Sequence, residues 1–78
     1  METYYAQLTN IIRDYLGPAA ERFLNRQIEF YLNKTTRDLS RDDIERLSVG
    51  IRNALRILTR DERLIDEAAR RIKGLSRQ

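Results

Sequence analysis

The sequence contains no cysteine, histidine or tryptophan, and only one proline and three glycines among its 78 residues. Without cysteine the chain forms no disulfide and no thiolate zinc site, and without histidine it lacks the side chain that titrates near neutral pH. These absences remove the nucleophiles and bases of most familiar active sites. We therefore predict that the protein is not an enzyme and that it binds neither a cofactor nor a metal ion.

Long apolar runs are missing as well. No run approaches the roughly 18 residues needed to span a bilayer, and residues 1–5 lack the basic start and apolar segment of a signal peptide. The sequence thus predicts a cytoplasmic protein with no membrane partner. Its length permits one domain, residues 1–78, whose single apolar core is only marginally sufficient for stability. Self-association would bury apolar surface that such a core leaves exposed.

Apolar residues recur at intervals of three and four along most of the chain, which is typical of amphipathic helices. The pattern predicts four helices, over residues 3–16, 18–32, 41–58 and 60–74. It assigns Tyr31 of the second helix and Leu58 of the third to the core. With short connections between them, these helices predict an all-α domain resembling a compact four-helix bundle.

Helix starts are indicated by side chains that accept hydrogen bonds from free backbone N–H groups. Ser40, with Asp43 three residues later, predicts a capping box at the start of the third helix, and Thr59 with Glu62 predicts another before the fourth. Asp42, Asp43 and Glu45 form an acidic cluster, and the first two lie in a first turn, where carboxylates interact favourably with the helix dipole. We therefore interpret this acidic cluster as capping and not as a metal site.

Arginine dominates the basic residues: 13 of the 15 are Arg, and the net charge is +3. Arg52, Arg56, Arg60 and Arg63 recur every three or four residues across the end of the third helix and the start of the fourth. They are placed to form one basic ridge. Because guanidinium groups bind phosphate and carboxylate alike, the ridge has three interpretations: a solvated face, a contact with an acidic protein, or a nucleic-acid site.

Three apolar residues fall outside the predicted core. Val49 and Ile57 lie outside the apolar sector of the third helix, and Phe30 lies on the flank of a second helix that is apolar over more than half its circumference. One exposed valine is ordinary, but this combination favours a homodimer or a contact with another protein. We predict an interface formed by Phe30, Val49 and Ile57, with Arg52 and Arg56 at its rim.

A longer pattern carries a resemblance to a known family. Its residues are Leu16-Gly17-Pro18-Ala19-Ala20, Phe23-Leu24, Leu39-Ser40-x-x-Asp43 and Leu47. Over roughly residues 8–72, the chain resembles a small helical accessory module of unknown function found in prokaryotic signalling proteins, beside receiver, forkhead-associated or kinase domains. The resemblance implies an accessory role in signalling through protein contact or oligomerisation, with no catalytic residues to transfer.

Two functions remain open from the sequence. The first is a non-enzymatic helical module for protein–protein interaction or oligomerisation, regulatory or accessory to signalling, whose partner is a second copy or another protein. The alternative is a small Arg-rich nucleic-acid-binding protein in which Arg52, Arg56, Arg60 and Arg63 contact phosphates. A charge of only +3 and the lack of a glycine-containing helix-turn-helix corner favour the first.

Overall fold

The computed structural model of the chain describes residues 3–33 and 38–77, which form helices and their connections and contain no strand. The all-α class predicted from the sequence is confirmed. In chain order the elements are α1 (Tyr4–Leu16), a 3₁₀ turn (Gly17–Ala19), α2 (Ala20–Gln27), a π-helical segment (Ile28–Leu32), α3 (Arg41–Leu58) and α4 (Glu62–Leu75).

The second predicted helix differs most from expectation. Instead of one α-helix over residues 18–32, the chain forms the 3₁₀ turn, the eight-residue α2 and the π-helical segment in succession. The π-helical segment ends at Asn33, whose φ of 53° lies in the left-handed region that asparagine tolerates better than most residues. Only α1, α3 and α4 are long helices in the described part of the chain, so a four-helix bundle is not confirmed.

Capping explains where α1 and α3 begin. Thr3 Oγ1 accepts a hydrogen bond from the Ala6 N–H at 3.1 Å. Ser40 Oγ accepts from the Asp43 N–H at 3.2 Å, and Asp43 Oδ2 accepts from the Ser40 N–H at 2.9 Å. The capping box predicted at Ser40 is therefore confirmed. At the other end of α1, Gly17 has a φ of 60°, which a residue with a side chain adopts only with strain.

The predicted capping box at Thr59 and Glu62 is wrong. Asp61 is the N-cap of α4, and its Oδ1 accepts from the N–H groups of Arg63 at 3.1 Å and Leu64 at 3.3 Å. Thr59 Oγ1 instead accepts from the Asp61 N–H at 3.2 Å, within the connection. A carboxylate satisfies two donors and complements the positive helix end, so α4 begins at Glu62 and not at residue 60.

The core lies where α3 packs against α4 and α1 packs against α2 and α4. At its centre are side chains with almost no exposure: Leu8, Leu24, Ile44, Leu47, Ile51, Ile65 and Ile72. Two residues predicted to belong to it do not. Tyr31 is 39% exposed because the π-helical segment departs from the α-helical spacing, and Leu58 is 58% exposed because it is the last residue of α3.

Candidate protein-interaction surface

The side of α3 turned away from the core is exposed along its length. Core residues such as Ile44, Ile51 and Leu55 occupy one side of the helix, and at 100° per residue the opposite side carries a different set. We call that set the outer face of α3; its exposed residues are Asp42, Glu45, Arg46, Val49, Asn53, Arg56 and Ile57.

Two apolar side chains stand on the outer face of α3. Val49 is 58% exposed and Ile57 is 86% exposed, which confirms that both point away from the core. Eight residues separate them, so they lie about 12 Å apart along the helix axis and about 80° apart around it. They therefore contribute to the same side of the molecule.

An aromatic pair stands at one edge of this face. The rings of Phe30 and Tyr31 meet edge-to-face, with centroids 5.0 Å apart and planes at 71°. The Tyr31 ring lies against the backbone of Gly50 in α3. Phe30, 78% exposed, projects beyond it. Gly50 and Ile57 are seven residues apart and therefore only about 20° apart around α3, whereas Val49 lies about 80–100° from both. The aromatic pair and Ile57 thus lie on the same flank of the outer face, and Val49 lies nearer its centre.

Sequence reasoning missed the position of Tyr31, although one signal was present. Gly50 lies in the middle of the 18-residue helix α3, where glycine costs about 1 kcal/mol relative to alanine. A glycine at such a position often marks a close approach by another group. Here the approaching group is the Tyr31 ring, which connects the π-helical segment to the outer face of α3.

The predicted basic ridge is divided in two. Arg52 Nη2 is bound to Asp66 Oδ1 of α4, so this guanidinium ties two helices together. Arg56, Arg60 and Arg63 are exposed, and none of them makes an ion pair or side-chain hydrogen bond within residues 3–33 and 38–77. Arg52, predicted to lie at the rim of the interface, is therefore engaged in an ion pair within the domain. Arg56, Arg60 and Arg63 are free to bind an anionic group.

A second ion-pair network joins α1 to α4. Arg71 Nη2 binds Asp14 Oδ2 at 2.8 Å, and Arg71 Nη1 donates to the Tyr15 hydroxyl at 3.2 Å. That hydroxyl donates to Glu67 Oε1 at 2.7 Å. Burial raises the pKa of Tyr15, and the hydrogen bond to Glu67 raises it further. Because this network links α4 to α1, it holds the domain together without involving the outer face of α3.

Residues 3–33 and 38–77 contain no group of three or more acidic, histidine or cysteine side chains placed to hold a metal ion. Of the predicted acidic cluster, Asp43 is buried and its carboxylate accepts the Ser40 N–H. None of the helices described above is both long and apolar enough to cross a bilayer.

Comparisons with known proteins identify no relative: no family model, curated protein or solved structure matches this chain. The resemblance to the helical accessory module of signalling proteins therefore stays a prediction.

Proposed function

We propose that the protein is a non-enzymatic, all-helical self-association module, and that its contact surface is the outer face of α3 with Phe30 and Tyr31. The exposed apolar side chains support this: Phe30, Val49 and Ile57 are 78%, 58% and 86% exposed. On small proteins such clustered apolar exposure marks an interaction site. Aromatic residues and arginine, both present here, are enriched at such sites.

In this proposal the composite segment 17–32 acts as the fourth helix of the bundle. The module works in the cytoplasm as a regulatory accessory, in keeping with the resemblance to signalling modules. Its partner is a second copy of the chain, because a domain of 78 residues gains most from burying its own exposed apolar surface. A different protein with a matching apolar face is the other partner that the same surface fits.

The expected dimer is of moderate affinity. Burying one large apolar side chain contributes about 1.5–3 kcal/mol, so Phe30, Val49 and Ile57 of two protomers contribute roughly 10 kcal/mol in total. Association costs an estimated 4–15 kcal/mol in lost motional freedom. Set against the lowest of these costs, the net is about 6 kcal/mol, which corresponds to a dissociation constant of roughly 40 μM, so the mass of the protein should depend on its concentration.

Light scattering across a concentration series tests the proposal. Between about 1 and 200 μM, the wild-type mass should rise toward that of a dimer. Val49→Asp and Ile57→Asp should stay monomeric with unchanged helical circular dichroism, because each buries a charge in the contact. Leu58→Asp is the matched control: Leu58 is 58% exposed, like Val49, but lies about 180° from it around α3. It should still dimerise.

Three results would overturn the proposal. The first is a wild-type protein that stays monomeric over the whole concentration range. The second is an equal loss of dimer in Val49→Asp and Leu58→Asp, which would show that added charge anywhere on α3 prevents association. A dimer that persists in Val49→Asp and Ile57→Asp would likewise remove the outer face of α3 from the contact.

Phosphate binding is the second candidate function, and a specific observation favours it. Arg56, Arg60 and Arg63 are exposed and have no acidic partner in the described part of the chain. A complex driven by phosphate weakens by about 0.9 log units per log unit of salt for each phosphate contacted on duplex DNA. An apolar dimer should keep its mass over the same salt range. A strict monomer that shifts DNA in a steeply salt-dependent way would favour this second function.

A further inference from the structure

We infer that the groove between α3 and α4 is a binding site for a phosphate monoester. Residues of both helices line a space of about 190 Å³ there: Arg52 from α3, and Asp66, Ala69, Arg70 and Lys73 from α4. That volume is many times what one water molecule requires, so a phosphate group fits. The groove lies outside the contact surface proposed above, and the inference does not depend on self-association.

The α4 side of the groove is one face of that helix. Asp66, Arg70 and Lys73 follow one another at intervals of four and three residues, which brings them within about 60° around the helix axis. Ala69 lies among them and is buried, and its short side chain leaves the space between the longer ones open. Two cations and one carboxylate of α4 therefore share the groove with Arg52 of α3.

The two acidic side chains of α4 that could pair with Arg70 have other partners. Asp66 is spaced four residues before Arg70, as in a helical ion pair, but its Oδ1 binds Arg52 of α3 instead. Glu67, three residues before Arg70, accepts a hydrogen bond from the Tyr15 hydroxyl of α1 at 2.7 Å. The guanidinium of Arg70 is therefore left without a carboxylate.

Arg70 and Lys73 give the groove two unpaired cations. Both are exposed, and neither makes an ion pair or a side-chain hydrogen bond within the described part of the chain. Glu45 of α3 lines the adjoining groove together with Lys73, but the two form no ion pair. Because Arg52 neutralises Asp66, the side chains that line the groove keep a net charge of +2.

A phosphate monoester is the anion that this charge fits. It carries about −1.5 to −2 charges at neutral pH and presents three acceptor oxygens. A guanidinium fork and an ammonium group, which Arg70 and Lys73 supply, both bind phosphate. The Nε of Arg52 is buried and has no acceptor in the described part of the chain, and buried donors are normally paired, so an acceptor that reaches this guanidinium is favoured. A phosphodiester or a carboxylate carries a single charge and balances only half of the excess.

Titration with glycerol phosphate, a simple phosphate monoester, tests the site at constant ionic strength. Two-dimensional NMR should show saturable shifts at the amides of Ala69, Arg70 and Lys73, with a dissociation constant of about 1 mM. Arg70→Gln and Lys73→Gln should each weaken binding about tenfold, because each removes a charge-assisted contact. Asp66→Asn should tighten binding roughly two- to fivefold, because it removes the one carboxylate in the groove.

Arg60→Gln is the matched control. Arg60 is exposed and unpaired like Arg70, and its replacement removes the same charge, but it does not line the groove. It should change the dissociation constant less than about twofold, because salt screens distant exposed charges. A short phosphoserine peptide distinguishes the source of the phosphate. Binding tighter than that of glycerol phosphate supports a phosphorylated protein as the ligand, and equal binding supports a small molecule.

Three results would overturn the inference. The first is the absence of a saturable shift up to about ten times the expected dissociation constant. The second is equal weakening by Arg60→Gln and Arg70→Gln, which would show that net charge and not the groove governs binding. The third is equally tight binding of dimethyl phosphate, a diester with one charge. None of these results depends on the oligomeric state, so light scattering tests self-association separately.

Discussion

The ring of Tyr31 lies directly on the backbone of Gly50. A Cβ atom added to Gly50 would lie 2.8 Å from Tyr31 Cζ and closer still to Cδ2 and Cε2. Real side chains do not approach each other so closely, so glycine is the residue that this packing requires. The contact fixes where the π-helical segment meets α3 and therefore where Phe30 projects.

This contact predicts opposite effects of one substitution in two backgrounds. In a Tyr31→Ala protein, Gly50→Ala should raise the free energy of unfolding by about 1 kcal/mol, because alanine is the better helix former. In the wild type the same change should lower it, since displacing the ring costs about 1–3 kcal/mol. Urea unfolding of the four proteins at one concentration gives the coupling energy. Equal effects in both backgrounds would show that the ring does not rest on Gly50.

The parts of this structure that could be predicted are those that depend on local spacing. The exposure of Val49 and Ile57 follows from the 3.6-residue period of α3, because burial of one side of a regular helix determines the other. The capping box at Ser40 and Asp43 could be predicted for a similar reason, since its two hydrogen bonds join residues three apart.

The parts that could not be predicted depend on departures from that regularity or on distant contacts. Apolar spacing does not encode the change from α-helical to π-helical hydrogen bonding after Gln27, so the sequence alone places Tyr31 in the core. The pairing of Arg52 with Asp66 depends on how α3 and α4 align across their connection. In that connection Asp61, and not Thr59, is the N-cap of α4.

The start of α4 predicts unequal costs for two neighbouring substitutions. Asp61→Ala should lower the free energy of unfolding by about 1 kcal/mol, because two backbone N–H groups lose their acceptor. Thr59→Ala should cost less than about half of that, since its hydroxyl accepts one exposed N–H outside the helix. Thermal or urea unfolding measures both. A larger loss of stability in Thr59→Ala than in Asp61→Ala would show that Thr59, and not Asp61, caps α4.

The Tyr15 hydroxyl predicts a loss of stability at alkaline pH. Burial and the hydrogen bond to Glu67 raise its pKa in the folded state, so folding favours the protonated phenol. Its contribution is therefore fully present below the unfolded pKa of about 10 and is lost as pH rises through the higher folded value. Tyr15→Phe should be less stable at neutral pH by about 0.5–1.5 kcal/mol. Its stability should fall less steeply than that of the wild type above about pH 10; parallel curves would contradict this account.

The pairing of Arg52 with Asp66 predicts that Asp66→Asn changes the stability of the protein little and its binding to a polyanion more. Both side chains are partly exposed, so Asp66→Asn should lower the free energy of unfolding by only roughly 0.2–1 kcal/mol. The freed guanidinium would join the unpaired Arg56, Arg60 and Arg63, and the protein should elute from heparin at higher salt. Glu29→Gln is the control, because it changes net charge equally on an exposed residue far along the chain from Arg52. Equal shifts for both variants would mean that Asp66 does not restrain Arg52, and that net charge alone governs binding to a polyanion.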